Sequence, residues 1–317
     1  METLDPPMVW YGGKRRIAKK MWEYFGEPKI YLEPFLGAAA VLLANPNPCQ
    51  LEVVSDANHY LCNFFRAVKS DPEGVSDYYD FPIHECELHA RHQWLINHCY
   101  LDPEAYDVQM AAYFAWGAKL WIGSGWCKKG SENWNAPDKR PTMPRSSENL
   151  PQVRMLNRTT VTDMPREQVP AIARQSEDFV QGRQIKRPRC DRDCQDAIAS
   201  NLAYLRALSN RLLKVKVLCG DWKRCVSRSL MTNGGRTVGH TAVFLDPPYK
   251  LKDRDPKLYN HDSPTIATEV EAWCRDYDGD AKMAICGMTG DYDLPKWTQW
   301  EWGKSNKFGR RETVWFR

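Results

Sequence analysis

The sequence contains no long apolar run. In its 317 residues, no stretch of about 18 or more consecutive apolar residues occurs, which is the length a membrane-spanning helix requires. Residues 1–10 also lack the charged segment followed by an apolar one that is typical of a secretory signal. We therefore expect a soluble, cytoplasmic protein with no membrane partner.

Paired cysteine spacing is also absent. The 11 cysteines are an odd number scattered along the chain, which indicates reduced thiols rather than a disulfide framework. His84, Cys86, His89 and His92 form a cluster that could suggest zinc, but their spacing matches no tetrahedral zinc pattern. We interpret them as incidental residues of a helix and expect no metal.

Positive charge is concentrated in one part of the chain. The formal net charge is +4, yet residues 121–190 hold 13 Lys and Arg against 7 Asp and Glu. Such a stretch is typical of a surface that binds phosphate groups. It is equally typical of a solvated loop, and the charge alone leaves both interpretations open.

Both ends of the chain alternate between predicted strands and helices, which favours the α/β class. Strands are expected at residues 30–33, 51–55, 215–219, 242–245, 283–286, 298–302 and 313–316. Residues 84–119 look helical and aromatic-rich, and residues 123–188 are dense in Gly, Pro, Asn, Ser and Arg. We therefore predict a core of residues 1–75 and 191–317, interrupted by an inserted, mainly helical lobe of residues 76–190.

The most specific motif is Asp246-Pro247-Pro248-Tyr249, which follows the apolar run 242–245. Open α/β sheets bind ligands at the carboxyl ends of their strands. The Asp246 carboxylate and the Pro247 carbonyl can each accept one N–H of an exocyclic amine, and the Tyr249 ring offers a face to an unstacked base. The alternative is an ordinary turn. The similar Asp5-Pro6-Pro7 has neither a preceding strand nor an aromatic residue, and we assign it no function.

Two further motifs precede it. Glu33-Pro34-Phe35-Leu36-Gly37 opens a turn of small residues between a strand and a helix, and Asp56 ends the next strand, where a carboxylate can bind ribose hydroxyls. Trp10-Tyr11-Gly12-Gly13-Lys14 is a glycine pair that leads through a lysine into a helix. Taken singly, close packing of a helix on a strand explains the first motif as well, and glycine-rich turns like the second are common.

In this order, the motifs resemble those of the Dam-like class of DNA adenine-N6 methyltransferases, whose recognition region lies between the cofactor motif and the catalytic motif. The family's aromatic-x-Gly-Gly-Lys is similar to Trp10–Lys14, its Glu-Pro-Phe-x-Gly to Glu33–Gly37, its Asp-x-Asn to Asp56 and Asn58, and its Asp-Pro-Pro-Tyr to Asp246–Tyr249. Residues 208–222 resemble the family's segment ahead of the catalytic strand.

The resemblance implies a Rossmann-like methyltransferase core, S-adenosylmethionine as cofactor and double-stranded DNA as partner. It implies that the catalytic motif Asp246, Pro247, Pro248 and Tyr249 faces the target adenine. The expected cofactor-binding residues are Trp10, Lys14, Glu33, Phe35, Gly37 and Asp56. The chain departs from the family at Ala39, where a second glycine is usual, and at Cys286-Gly287, where the family has Ser-Asn.

A basic and aromatic stretch of the inserted lobe resembles a family hairpin that approaches DNA. It suggests DNA contacts by Lys128, Lys129, Trp134 and Asn135, against the alternative of a packed hairpin. Methylation of RNA or of cytosine-N4, and a non-catalytic DNA-binding role, remain alternatives. The sequence does not indicate whether a restriction endonuclease accompanies the protein.

Overall fold

The structure is a computed structural model, which describes residues 3–10, 12–79, 85–98, 105–121, 125–128, 193–232, 239–250, 265–303 and 309–317. In these ranges the helices are α1 (Arg15–Phe25), α2 (Ala40–Leu43), α3 (His59–Ser70), α4 (Pro72–Asp77), α5 (Glu85–Asn97), α6 (Val108–Leu120), α7 (Asp193–Leu212), α8 (Arg228–Met231) and α9 (Ile266–Asp276). The strands are β1 (Ile30–Glu33), β2 (Leu51–Asp56), β3 (Val215–Cys219), β4 (Thr241–Leu245), β5 (Lys282–Met288), β6 (Thr298–Trp302) and β7 (Glu312–Phe316).

All seven strands join one sheet in the order β3-β2-β1-β4-β5-β7-β6. Strands β1 to β5 are mutually parallel, whereas β7 runs antiparallel to both β5 and β6. The buried strands are nearly continuous apolar runs, as parallel strands covered on both faces require. This mostly parallel sheet with its helices confirms the predicted Rossmann-like α/β class.

Contacts divide the chain into two compact units. The sheet unit comprises Met1–Leu4, Gly12–Cys62 and Leu213–Arg317, and the helical unit comprises Asp5–Tyr11 and Asn63–Leu212. The division places residues 5–11, 63–75 and 191–212 in the helical unit, whereas the sequence pattern assigned all three segments to the core. Most of the predicted irregular segment 123–188 lies outside the described residues.

Local signals explain where the elements begin and end. In α1, Ile17, Met21 and Phe25 recur every four residues and are buried as one face, and Gly26 ends the helix at a positive φ of 70°. Helix α3 begins at His59 because Asn58 caps it: the Asn58 side chain accepts hydrogen bonds from the backbone N–H groups of Tyr60 and Leu61. Among the described residues, no helix combines the length and the apolar character needed to cross a membrane.

Candidate active site

The catalytic and cofactor motifs meet at one edge of the sheet. Strands β1 and β4 are neighbours, and the strand order reverses between them, which is where open α/β sheets bind ligands. Glu33 is the last residue of β1, and Asp246 follows directly after β4. The sheet therefore brings two motifs that are far apart in sequence to the same edge.

A buried ion pair joins the amino-terminal motif to the catalytic motif. Lys14 is only 3% exposed, and its Nζ lies 2.9 Å from Oδ2 of Asp246. The Lys14 Nζ also donates a hydrogen bond of 2.5 Å to the Gly12 carbonyl. This turn needs glycine, since Gly12 has a φ of +72°. Two sequence motifs thus form one charged site.

The charges of this pair are coupled. Burial raises the pKa of Asp246 to about 6, although the Lys14 ammonium opposes the shift, and the Glu312 carboxylate adds to it. Burial also works to lower the pKa of Lys14, but the negative charge of Asp246 and its neighbours outweighs this and raises it well above its usual range. At neutral pH both groups are therefore charged, so Asp246 is an acceptor of hydrogen bonds.

Tyr249 lies beside the same pair. The Lys14 Nζ is 5.3 Å from the centroid of the Tyr249 ring, a distance that allows a cation–π interaction. The Tyr249 hydroxyl donates a long hydrogen bond of 3.4 Å to Oε2 of Glu312. Glu312 begins β7, and the sequence analysis did not identify it; a charged residue opening an otherwise apolar strand was its only signal. Pro247 is buried and Pro248 is half-buried between the two ends of the motif.

Lys250 fixes the chain directly after the motif. Its Nζ lies 3.2 Å from Oε2 of Glu271 on α9 and donates to the Asp291 carbonyl. Glu271 also accepts a hydrogen bond of 2.8 Å from the backbone N–H of Asp293. This network, which the sequence analysis missed, holds the end of the catalytic motif against the turn after β5.

The predicted cofactor turn is held by Asp56. Oδ2 of Asp56 accepts the Gly37 N–H at 3.0 Å, and Oδ1 accepts the Asn58 N–H at 2.8 Å. Gly37 and Ala39 both have positive φ, of 51° and 60°. Asp56 therefore stabilises two adjacent turns, a role that the sequence analysis did not assign to it.

Glu33 is a buried acid, 2% exposed. Burial raises its pKa to about 8, although the Tyr31 hydroxyl, which donates to Oε2 of Glu33 at 2.9 Å, stabilises the charged form. The nearby Asp246 carboxylate raises the pKa further. Glu33 is therefore largely protonated at neutral pH, and a cation placed beside it would favour its ionised form.

Aromatic rings flank the cofactor turn. The Phe35 ring is stacked on that of Trp222, with centroids 6.0 Å apart and an interplanar angle of 30°. Trp222, which follows β3, was part of the sequence resemblance but was not predicted as a site residue. Trp10 lies in the helical unit, where its ring contacts the edge of Phe114 at a centroid distance of 6.0 Å.

The predicted DNA-contact residues are only partly described. Lys128 is half-buried at the end of a short turn in the helical unit, and its backbone N–H donates to the Gly125 carbonyl at 3.1 Å. Lys129, Trp134 and Asn135 lie outside the described residues. Within the ranges that the structure describes, no cluster of His, Cys, Asp and Glu could hold a metal ion.

These features define a class of protein: a Rossmann-like methyltransferase fold with acidic groups at the reversal point of its sheet. Comparison with known families then bears on the kind of methyltransferase. Residues 10–117 match the model of the D12 class N6 adenine-specific DNA methyltransferase family. The match supports the Dam-like family predicted from the sequence and an adenine-specific DNA methyltransferase as the class of enzyme. No curated protein matches the chain.

The matched segment includes Lys14, the cofactor turn and Asp56, and it ends at Gly117 in α6. It therefore supports DNA adenine methylation as the broad activity and DNA as the substrate, and methyltransferases of this kind use S-adenosylmethionine. The match ends before the Asp246–Tyr249 motif, so the assignments of individual catalytic and cofactor-binding residues remain predictions.

Proposed function

We propose that the protein is a site-specific enzyme that transfers the methyl group of S-adenosylmethionine directly to the N6 amine of an adenine flipped out of duplex DNA. The observation that carries this proposal is the charged Asp246 at the end of β4, paired with the buried Lys14 at 2.9 Å and adjacent to Tyr249.

The catalytic motif supplies the acceptors that an adenine amine needs. The nitrogen lone pair of adenine is conjugated with its ring, and acceptors for the two N–H groups free it for attack. Asp246 accepts one N–H, and the Pro247 carbonyl accepts the other. Lys14 contributes by keeping Asp246 ionised. The Tyr249 ring offers its face to the base.

The residues at the end of β1 fit a cationic cofactor. Glu33 is a buried carboxyl group that a neighbouring positive charge would ionise, and Gly37, fixed by Asp56, lets a ligand approach the backbone. Phe35 and Trp222 would flank the cofactor, and Asp56 would bind its ribose. When bound, S-adenosylmethionine supplies an electrophilic methyl group on a sulfonium.

Base flipping follows from the position of the reacting amine. In duplex DNA the N6 amine is paired and stacked, so an enzyme must unstack the base before Asp246 can reach it. Basic and aromatic residues such as Lys128, Lys129, Trp134 and Asn135 are suited to holding the phosphates and filling the space that the base leaves. We retain them as proposed DNA contacts.

The test is transfer of labelled methyl from S-adenosylmethionine to unmethylated duplex DNA, followed by digestion to nucleosides. We expect label in N6-methyladenine, and at least about a 100-fold lower rate for Asp246→Ala. Asp278→Ala, which removes an exposed carboxylate from the same unit, is the matched control and should retain activity.

Other outcomes of this experiment would favour one of the alternative functions. Label in N4-methylcytosine, or transfer to RNA and not to DNA, would change the substrate. Bound cofactor and bound DNA without any transfer would indicate a non-catalytic DNA-binding protein. An unchanged rate in Asp246→Ala would overturn the proposed role of the motif.

A further inference from the structure

The turn at residues 125–128 is fastened to helix α6 by a tryptophan. The Trp126 ring occupies the space beside Gly117, where an added Cβ would lie only 1.9 Å from Cζ2 of Trp126. The Trp126 Nε1–H donates a hydrogen bond of 3.1 Å to the carbonyl of Phe114, which lies in α6 like Gly117. A glycine inside a helix lowers helix stability, and here it makes room for the ring.

The same turn is also bound to helix α5. The Cys127 backbone N–H donates to Nδ1 of His92 at 3.3 Å. Cys127 has a φ of +60°, a conformation that a residue other than glycine adopts only when its surroundings hold it there. The His92 ring in turn stacks on Trp121, with centroids 4.7 Å apart and an interplanar angle of 23°. Two helices thus fix the backbone of this turn.

Lys128 is the last described residue of the turn, and the basic stretch of the chain begins with it. Its side chain is half-buried, and its backbone is fixed through the bond to the Gly125 carbonyl. A lysine on a fixed backbone loses less conformational freedom when it contacts a phosphate than one on a loose loop. The packing of Trp126 and His92 therefore affects how Lys128, which is not part of that packing, can bind a phosphate.

We propose that Trp126 and His92 are positioning residues for DNA binding, which act by holding Lys128 where it meets a backbone phosphate. This inference rests on the proposed function, because it requires Lys128 to contact DNA. It adds that the contact between Lys128 and a phosphate depends on the notch at Gly117, the space beside this glycine that the Trp126 ring fills. The packing around the turn then helps to determine the strength of an electrostatic interaction.

A double-mutant cycle on the full chain tests this dependence. The variants are Lys128→Ala, Gly117→Ala, which fills the notch and displaces Trp126, and their combination. The dissociation constant for a DNA duplex is measured at several salt concentrations. Affinity for S-adenosylmethionine is measured in parallel as a check of folding. Trp94→Ala is the matched control, because Trp94 is a half-buried tryptophan of α5 whose ring lies against His98 and Tyr113 rather than against the turn.

We expect Lys128→Ala to weaken DNA binding roughly 5-fold and to reduce the salt slope by about 1, as for one lost phosphate contact. Gly117→Ala should give the same loss and the same change in slope. The double variant should be no more than about 2-fold weaker than either single variant, because both remove one contact. Trp94→Ala should leave the slope unchanged.

If the losses of DNA affinity in the two single variants multiply in the double variant, the inference is wrong. Lys128 then remains a DNA contact that does not depend on Trp126. An unchanged slope in Lys128→Ala would also overturn it, whereas Asp246-dependent methylation of DNA would still uphold the proposed function. If Gly117→Ala loses cofactor affinity, Trp126→Phe replaces it in the cycle. This change keeps a ring in the notch but removes the bond to Phe114, so it should cause part of the same loss and add no further loss to that of Lys128→Ala.

Discussion

Lys14 and Arg91 are nearly inaccessible cations in different units of the molecule, and the two are stabilised differently. Lys14 in the sheet unit is 3% exposed, and Arg91 in the helical unit is 4% exposed. Arg91 pairs with Glu87, one turn earlier on the same helix, at 2.7 Å. Lys14 pairs with Asp246, which lies on the other side of the inserted residues in sequence.

Further contacts of Arg91 are structural. Its guanidinium lies 4.2 Å from the ring centroid of Tyr113 and 4.4 Å from that of Trp116, and it donates to the Tyr78 carbonyl. These partners satisfy the charge with rings and carbonyls of the helical unit. The partner of Lys14 is Asp246, the carboxylate that we propose receives the substrate amine. Under this proposal, equal burial serves stability in one unit and chemistry in the other.

The largest effect on activity is expected for Lys14→Met, which tests whether Lys14 and Arg91 have different roles. Lys14→Met leaves Asp246 buried without its counter-charge, so that it takes up a proton and no longer accepts an N–H. We expect methyl transfer to fall at least about 100-fold, measured as kcat with labelled cofactor. Near-normal activity would show that the Lys14 pair is structural, like that of Arg91.

The pH dependence of the wild-type protein tests the same pair. The pKa of Asp246 is raised to about 6, and the role that we propose for Asp246 requires its ionised form. We expect kcat/KM to fall about tenfold per pH unit below pH 6. The pKa of Lys14 lies well above its usual range, so Lys14 should cause no loss of activity up to pH 9. A flat profile between pH 5 and 7 would contradict this role for Asp246.

Glu33→Gln tests whether the acidic end of β1 serves a cation. The change keeps an acceptor for the Tyr31 hydroxyl but removes the ionisable group, so affinity for S-adenosylmethionine should fall about tenfold by calorimetry.

Stability should change in the opposite direction in this variant. The folded-state pKa of Glu33, about 8, exceeds its usual 4.5, so this carboxyl group costs stability as the pH rises from 4.5 to 8. Glu33→Gln should therefore raise the free energy of unfolding of the cofactor-free protein at pH 7 by about 1–3 kcal/mol. Unchanged cofactor affinity would remove Glu33 from the proposed site.

Arg91→Met is the counterpart of Lys14→Met in the helical unit. The lost cation–π contacts and hydrogen bonds should lower the free energy of unfolding by about 1–3 kcal/mol in urea titrations. The kcat of the folded variant should stay within about twofold of the wild type. A specific loss of kcat would mean that the two cations do not differ as described.

The smallest effect is expected for Ala39→Gly. Glycine relieves the left-handed conformation by about 1–2 kcal/mol, but it removes a buried methyl group worth about 0.8 kcal/mol and increases the entropy of the unfolded chain. These contributions nearly cancel, so stability should change by less than about 1 kcal/mol and cofactor affinity by less than about threefold. A large gain in cofactor affinity would show that the methyl group narrows the turn.

The sequence predicted local features well because short-range patterns determine them. Every predicted strand is present within one or two residues, since apolar runs and turn residues mark strands directly. The cofactor and catalytic motifs share one edge, as the α/β alternation required.

Features that depend on distant parts of the chain could not be predicted. No spacing in the sequence indicates that Lys14 contacts Asp246, or that Glu312 approaches Tyr249 from an antiparallel strand. The glycine at position 287, where the family differs, likewise has a reason that only packing reveals. A Cβ at Gly287 would lie 2.7 Å from the Tyr292 ring, so a larger residue cannot fit there without a shift.

The double use of Asp56 has a consequence for engineering the protein to accept altered cofactors. One carboxylate fastens the turns at both Gly37 and Asn58, so replacing it would loosen two loops at once. Most variants at position 56 would therefore fail because both loops lose their shape, and few would report on binding of a new ligand. Phe35 and Trp222, which meet through their rings, are better positions at which to begin such a library.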